Sequence, residues 1–106
     1  MTNKLAIKLI NRGDEAELLM KGELDMQTVA EVEEYLEEAS DRFGHLVLNM
    51  AELTYISSAG LRVLKHIHIK MNKRGGMLLL KNVSQNIMEV FAITGFSGLL
   101  NFAAES

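Results

Sequence analysis

The sequence contains no cysteine and no proline among its 106 residues. Without cysteine the chain can form no disulfide, zinc–thiolate centre or iron–sulfur cluster, and it has no thiol nucleophile, all of which fits a reducing cytoplasm. Without proline, its turns must be built from glycine, asparagine and aspartate. No apolar run approaches the roughly 20 residues that a membrane-spanning helix needs, so we expect a cytoplasmic protein with no membrane insertion.

The balance of residue types is that of one small globular domain. Hydrophobic residues make up 48% of the chain and charged residues 24%, which argues against disorder. Since we find no linker or internal repeat, residues 1–106 are predicted to form a single domain. The formal net charge is −3, and this disfavours nucleic acid as a partner because nucleic-acid-binding domains are usually basic.

The hydrophobic periodicity predicts an α/β fold in the order β-β-α-β-α-β-α-(β). Apolar runs predict strands at residues 5–10, 16–22, 45–50 and 77–80, with a candidate final strand at 99–103. Apolar stripes at spacings of three and four predict helices at residues 26–43, 58–72 and 84–95. The first two strands are expected to form a hairpin, whereas the strands at 45–50 and 77–80 are joined through a helix and should be parallel.

The residues that could carry catalysis do not form a recognisable site. His66 and His68 lie two apart on a predicted helix, roughly 200° around its axis, so they cannot share a metal ion, and they and His45 are expected at the surface or its boundary. A row of glutamates opposite an apolar stripe is expected to be a solvated helix face (Glu31, Glu34 and Glu38). We therefore predict no enzyme, no metal site and no cofactor.

One segment stands apart, residues 55–61, which reads Tyr-Ile-Ser-Ser-Ala-Gly-Leu. It follows a predicted buried strand and opens a helix, where one serine could simply cap the helix while Ala59 and Gly60 allow close packing. The alternative is functional, because an exposed serine there could be phosphorylated. The added charge, about −1.5 to −2, would lie at the positive end of the helix dipole, so the fold would tolerate it.

The chain resembles the STAS domain, and within that family the bacterial anti-sigma-factor antagonists. The motifs that carry the resemblance are Gly-Glu-Leu-Asp at 22–25, Leu-Val-Leu-Asn-Met at 46–50, the segment 55–61 and Thr-Gly-Phe at 94–96. The resemblance implies a single STAS-like domain with a mixed, mostly parallel sheet and helices packed on one side.

The same resemblance implies a regulator that is not an enzyme. Its expected partners are an anti-sigma factor that is also a serine kinase (a GHKL-type ATPase) and a serine phosphatase. Binding to the anti-sigma factor frees a sigma factor, and phosphorylation of Ser58, with Ser57 as the alternative acceptor, abolishes that binding. The expected partner-binding residues are Asp25, Ser57, Ser58, Ala59, Gly60, Leu61, Arg62 and Lys65.

The chain departs from the family pattern in three places. Ser57 and Asn49 both stand where relatives usually carry aspartate, so the site is expected to be less negative. The chain also ends at Ser106, without the closing helix of many relatives, so we expect either that the last strand is less stable or that a homodimer or another subunit covers it. The alternative function is a STAS docking subunit that is not phosphorylated, beneath a membrane transporter or inside a signalling assembly.

Overall fold

Five strands and three helices alternate along residues 4–103, the part of the chain that the computed structural model describes. The strands are β1 (Leu5–Arg12), β2 (Glu15–Leu24), β3 (His45–Ile56), β4 (Met77–Lys81) and β5 (Asn101–Phe102). The helices are α1 (Val29–Arg42), α2 (Ser58–Lys73) and α3 (Gln85–Thr94), and a short 3₁₀ helix follows at Phe96–Gly98.

The order of the strands in the sheet is the same as their order along the chain. β1 pairs with β2 antiparallel, and the remaining neighbours are parallel. Each parallel connection passes through a helix and steps in the same direction across the sheet. Since such connections are almost always right-handed, all three helices lie on one face. The predicted mixed, mostly parallel sheet with helices on one side is therefore confirmed.

The helix-bearing face of the sheet forms the core. The parallel register places Leu18, Leu48 and Leu80 side by side, and all three are fully buried. Phe102 pairs with Leu80, and its ring lies 5.6 Å from the ring of Phe91 on α3. This contact places α3 on the same face as the leucine row.

The opposite face of the sheet has no helix over it within residues 4–103. At its centre Glu17 is only 6% exposed, and its carboxylate accepts hydrogen bonds from Asn49 at 3.1 Å, Lys81 at 3.1 Å and Arg12 at 3.3 Å. Burial alone would raise the pKa of Glu17, but the hydrogen bonds from Asn49 and Lys81 and the charges of Lys81 and Arg12 outweigh it and lower that pKa. The Glu17 carboxylate therefore stays charged although it is buried on this face of the sheet.

Helices α1 and α2 pack side by side on the core and carry opposite charge. α1 contains six acidic residues and one arginine, whereas α2 contains four lysines or arginines and no acid. Between the helices, Glu37 accepts from Lys70 at 2.9 Å and contacts His66 at 2.6 Å, and Asp41 pairs with Lys70 at 2.9 Å. The charges that face one another across this seam are therefore matched.

Some boundaries differ from those expected. β3 continues to Ile56 rather than ending near residue 50, and α1 begins at Val29 rather than at residue 26, after a turn over residues 25–28. His68, expected at the surface or its boundary, is only 6% exposed and lies on the buried side of α2, so that expectation was wrong for this histidine. Within residues 4–103 no helix is both long enough and apolar enough to cross a membrane. Residues 104–106, where the chain was expected to end without a closing helix, lie outside the described residues.

Candidate functional site

The two adjacent serines of the 55–61 segment lie where β3 ends and α2 begins, and they have different roles. The backbone N–H of Ser57 donates to the carbonyl of Leu24 at 2.8 Å, which ties the segment to the end of β2. The Ser57 side chain accepts a hydrogen bond from the N–H of Gly60 at 3.3 Å. Ser57 is therefore the N-cap of α2, a structural role that satisfies one of the unpaired N–H groups of the first turn.

Ser58 is the first residue of α2, and it is exposed. Within residues 4–103 its hydroxyl forms no side-chain hydrogen bond, in contrast to that of Ser57. The position also faces the positive end of the helix dipole, where negative charge is favourable. Of the two side chains, that of Ser58 is the more exposed, and among the described residues it has no hydrogen-bond partner.

The residues that follow Ser58 pack the start of α2 against the sheet. A Cβ atom at Gly60 would stand 2.7 Å from the Cγ of Leu24 and 3.0 Å from the Cγ1 of Ile56, so glycine is the residue that lets α2 approach the sheet this closely. Leu61 is 4% exposed. Gly60 and Leu61, both expected among the partner-binding residues, are buried beneath the first turn of α2. Ala59, between them and Ser58, is half-buried.

Asp25 lies across from the serines, in the turn that follows β2. Its Oδ1 accepts from the backbone N–H groups of Gln27 at 2.8 Å and Thr28 at 3.1 Å, and its Oδ2 accepts from the Nζ of Lys4 at 2.6 Å. The hydrogen bond from Lys4, assisted by the two backbone N–H groups, lowers the pKa of Asp25. The carboxylate is thus held in place and stays negative at neutral pH.

These residues surround a single open depression. It is lined by Lys4, Asp25, Met26, Gln27, Tyr55, Ser57 and Ser58. The fold therefore brings Asp25 together with Ser57 and Ser58, residues that are more than 30 positions apart in the sequence.

Four residues of this depression were not among the expected partner-binding residues: Lys4, Met26, Gln27 and Tyr55. Met26 is 81% exposed and Tyr55 49% exposed, so the depression has apolar side chains at its rim. A signal for Lys4 exists in the sequence, because a hairpin that pairs Leu5 with Gly22 carries Lys4 towards residue 25.

The two expected basic residues of α2 lie on the same outward face as Ser58. Arg62 and Lys65 are exposed and follow Ser58 at spacings of four and three, which places them on one side of the helix. Their distance from the core makes them available to another molecule. In residues 4–103, no group of three His, Asp or Glu side chains is arranged to hold a metal ion.

Comparison with known proteins agrees with this architecture. A family model described as "STAS domain" matches residues 8–106. The chain is similar to an anti-sigma-B factor antagonist of Staphylococcus epidermidis, with 34% identity over 98 residues that cover 92% of this chain and 91% of the relative.

Two solved structures are also similar. One is an anti-sigma factor antagonist from Mycobacterium paratuberculosis, with a TM-score of 0.83, 18% identity and coverage of 95% of this chain and 86% of that one. The other is the Bacillus cell fate determinant SpoIIAA in its phosphorylated form, with a TM-score of 0.73, 20% identity and coverage of 94% and 93%. At these identities the two structures establish the shared fold.

Proposed function

The chain belongs to the STAS domain family, and from this premise we propose that it is an anti-sigma factor antagonist. In its unphosphorylated state it binds an anti-sigma factor, and a sigma factor is released. The support is the similarity to a curated antagonist over nearly the full length of both chains. The depression beside Ser58 is the surface that this proposal assigns to the partner.

Ser58 is the proposed switch, and the anti-sigma factor is the proposed serine kinase. The observation that carries this assignment is the contrast between the two serines. The Ser57 side chain is engaged by the N–H of Gly60, whereas the Ser58 side chain is exposed at the first position of the helix. A kinase can reach the Ser58 hydroxyl without unwinding α2, while phosphorylation of Ser57 would remove the N-cap.

The phosphate changes the charge of the surface without changing the fold. It adds a charge of about −1.5 to −2 at the start of α2, where the helix dipole stabilises it. In the same depression lies the carboxylate of Asp25, already paired with Lys4. A partner that packs on this depression in the unphosphorylated state therefore meets new bulk and new negative charge, and it dissociates.

The rest of the proposed cycle follows from this chemistry. The chain supplies the acceptor hydroxyl while the kinase supplies the ATP site, so the chain itself is not an enzyme. A serine phosphatase removes the phosphate and restores binding. The cycle takes place in the cytoplasm, where bacterial sigma factors meet RNA polymerase.

The test is phosphorylation of the purified chain by the anti-sigma factor kinase of the source organism with ATP. We expect the intact mass to rise by about 80 Da, with the phosphate on Ser58, and we expect Ser58→Ala to abolish the increase. Ser57→Ala is the matched control and should still accept phosphate. Phosphate on Ser57 alone would overturn the assignment of the switch. Binding to transporter subunits, with no phosphorylation and no binding to the anti-sigma factor, would favour the docking-subunit function instead.

A further inference from the structure

The outward face of α2 carries a basic stripe that begins at the switch residue. Ser58, Arg62, Lys65, Ile69 and Lys73 follow one another at spacings of four, three, four and four, and all five are exposed. Such spacing keeps the side chains on one side of a helix. We call these five residues the α2 stripe.

The cations of the α2 stripe have no carboxylate partner within residues 4–103. The acidic side chains of α1 engage the other flank of α2, where Lys70 pairs with Glu37 and Asp41. No ion pair among the described residues involves Arg62, Lys65 or Lys73. The fold thus neutralises the inner flank of α2 and leaves a positive outer face.

One residue of the α2 stripe, Ile69 between Lys65 and Lys73, is apolar. Ile69 is 39% exposed and borders a shallow hollow together with His66, Lys70, Lys73 and Arg74. An exposed branched apolar side chain with an unpaired lysine on either side of it along the stripe gives a partner a contact from which water can be excluded, bordered by positive charge. This is the usual arrangement of a protein–protein contact, with an apolar centre and a polar periphery.

From this arrangement we infer that the α2 stripe docks an acidic surface of the partner, with an apolar partner side chain against Ile69. The inference rests on the proposed function, and it adds that the contact surface of the partner is acidic. Charge complementarity selects a protein rather than a nucleic acid, because the strongly acidic α1 lies directly beside α2. Its carboxylates would repel an extended phosphate backbone, whereas a protein surface can present acids to α2 alone.

The α2 stripe also explains how a single phosphate can switch binding. The phosphate lies at the head of the stripe, and its charge of about −1.5 to −2 offsets much of the charge of the three unpaired cations. An acidic partner then loses its electrostatic attraction and meets a like charge at Ser58. Attraction of this kind acts mainly on the association rate and weakens as salt is added.

The experiment measures the association rate between the chain and the anti-sigma factor of the source organism at low salt and at roughly 0.15 M salt. The test variant is Arg62→Glu/Lys65→Glu. The matched control is Lys8→Glu/Lys21→Glu, which makes the same change in net charge on exposed positions of β1 and β2. We expect the test variant to associate at least about tenfold more slowly at low salt, the control to stay within about twofold of the wild type, and the difference to shrink as salt rises.

A second pair of variants tests the apolar centre. Ile69→Ser is expected to speed dissociation several-fold, while Ile93→Ser, at an apolar residue of α3 that is 86% exposed, is expected to leave it unchanged. Circular dichroism verifies that all variants are folded. An equal effect of Ile69→Ser and Ile93→Ser would show that Ile69 is not the centre of the contact.

The remaining outcomes separate this inference from the proposed function. If the wild type binds and is phosphorylated on Ser58, but the two charge variants associate equally fast, the acidic-partner inference is wrong and the proposed function stands. If the wild type neither binds the anti-sigma factor nor accepts phosphate, the proposed function fails and the inference falls with it. Binding to duplex DNA at roughly 0.15 M salt that Arg62→Glu/Lys65→Glu abolishes would overturn the assignment to a protein partner.

Discussion

Helices α2 and α3 begin in the same way at the same edge of the sheet, but only the start of α2 carries the candidate site. Ser57 and Ser84 both have extended backbone, and each side chain accepts a hydrogen bond at 3.3 Å from the N–H three residues later. The capping serine is therefore common to both helices. It is a structural device, and by itself it does not distinguish a site from an ordinary helix start.

The difference lies in the residues around the cap. After Ser57 the chain continues with Ser58, Ala59 and Gly60, and Gly60 packs so closely that a side chain there would meet Leu24 and Ile56. After Ser84 it continues with glutamine, asparagine and a buried isoleucine. Close packing on one side and an exposed hydroxyl on the other distinguish α2. What distinguishes a candidate site from an ordinary helix start is therefore which residues beside the cap are buried and which are exposed.

Among the substitutions that test this comparison, Gly60→Ala is expected to have the largest effect on stability. The added methyl group must displace the buried side chains of Leu24 and Ile56, and overpacking of this kind typically costs about 1–3 kcal/mol of stability. The free energy of unfolding, measured by urea denaturation, should fall by that amount. Gly98→Ala is the control, because a Cβ there meets no atom within 4 Å. Unchanged stability of Gly60→Ala would show that α2 can move away from the sheet.

Removal of either capping serine should lower stability by the same, intermediate amount. Ser57→Ala and Ser84→Ala each lose one hydrogen bond to the first helical turn, which typically costs about 1 kcal/mol. Thermal and denaturant unfolding of the two variants provide the measurement. A much larger loss for Ser57→Ala than for Ser84→Ala would contradict the equivalence of the two caps.

Substitution at the first helical residue should barely affect stability. Ser58→Ala and its positional counterpart in α3, Gln85→Ala, both change exposed side chains, and each is expected to alter the free energy of unfolding by less than about 0.5 kcal/mol. The two variants should differ in modification, since Ser58→Ala alone removes the phosphate acceptor. A loss of stability above about 1 kcal/mol for Ser58→Ala would mean that the hydroxyl has a structural role.

The smallest effect concerns the pH dependence of stability that arises from the Lys4–Asp25 ion pair. Among the described residues this pair has no counterpart at the start of α3. The Asp25 pKa is lowered by Lys4, so the pair favours the folded state above the unfolded pKa of about 3.9. This contribution is lost as the pH falls through the lower folded value. Lys4→Met should raise the Asp25 pKa towards 3.8, as measured by NMR titration of the side-chain carboxyl group. An unchanged titration would show that the ion pair does not form in solution.

The sequence was sufficient for the order of elements and for the core. Stripes such as Val32, Leu36 and Ala39 in α1 follow the helical period, and all three are buried as expected. The extension of β3 beyond residue 50 was not predicted. In that part Glu52, Thr54 and Tyr55 are exposed, so the continuous apolar pattern of a buried strand stops while the pairing with β2 continues to Leu24.

Asp25, Ser57 and Ser58 were expected to belong to one site, and all three line the same depression. Which residues of the first helical turn face outward depends on the angle at which α2 meets the sheet. That angle follows from the contact of Gly60 with Leu24 and Ile56, a long-range property that spacing along the chain does not encode. The resemblance placed Leu61 among the partner-binding residues, although its side chain is buried.

The sheet order β1-β2-β3-β4-β5 has a consequence for how the protein is made. Every strand joins the edge left by the strand before it, so no early segment must wait for a distant one to arrive. Contacts between segments that are close in sequence favour rapid folding. A chain that leaves the ribosome from its N-terminus can therefore add each helix–strand unit to a sheet that has already begun to form. Gly60 of α2 packs on Leu24 of β2 and Ile56 of β3, so α2 takes its place only after those two strands have paired.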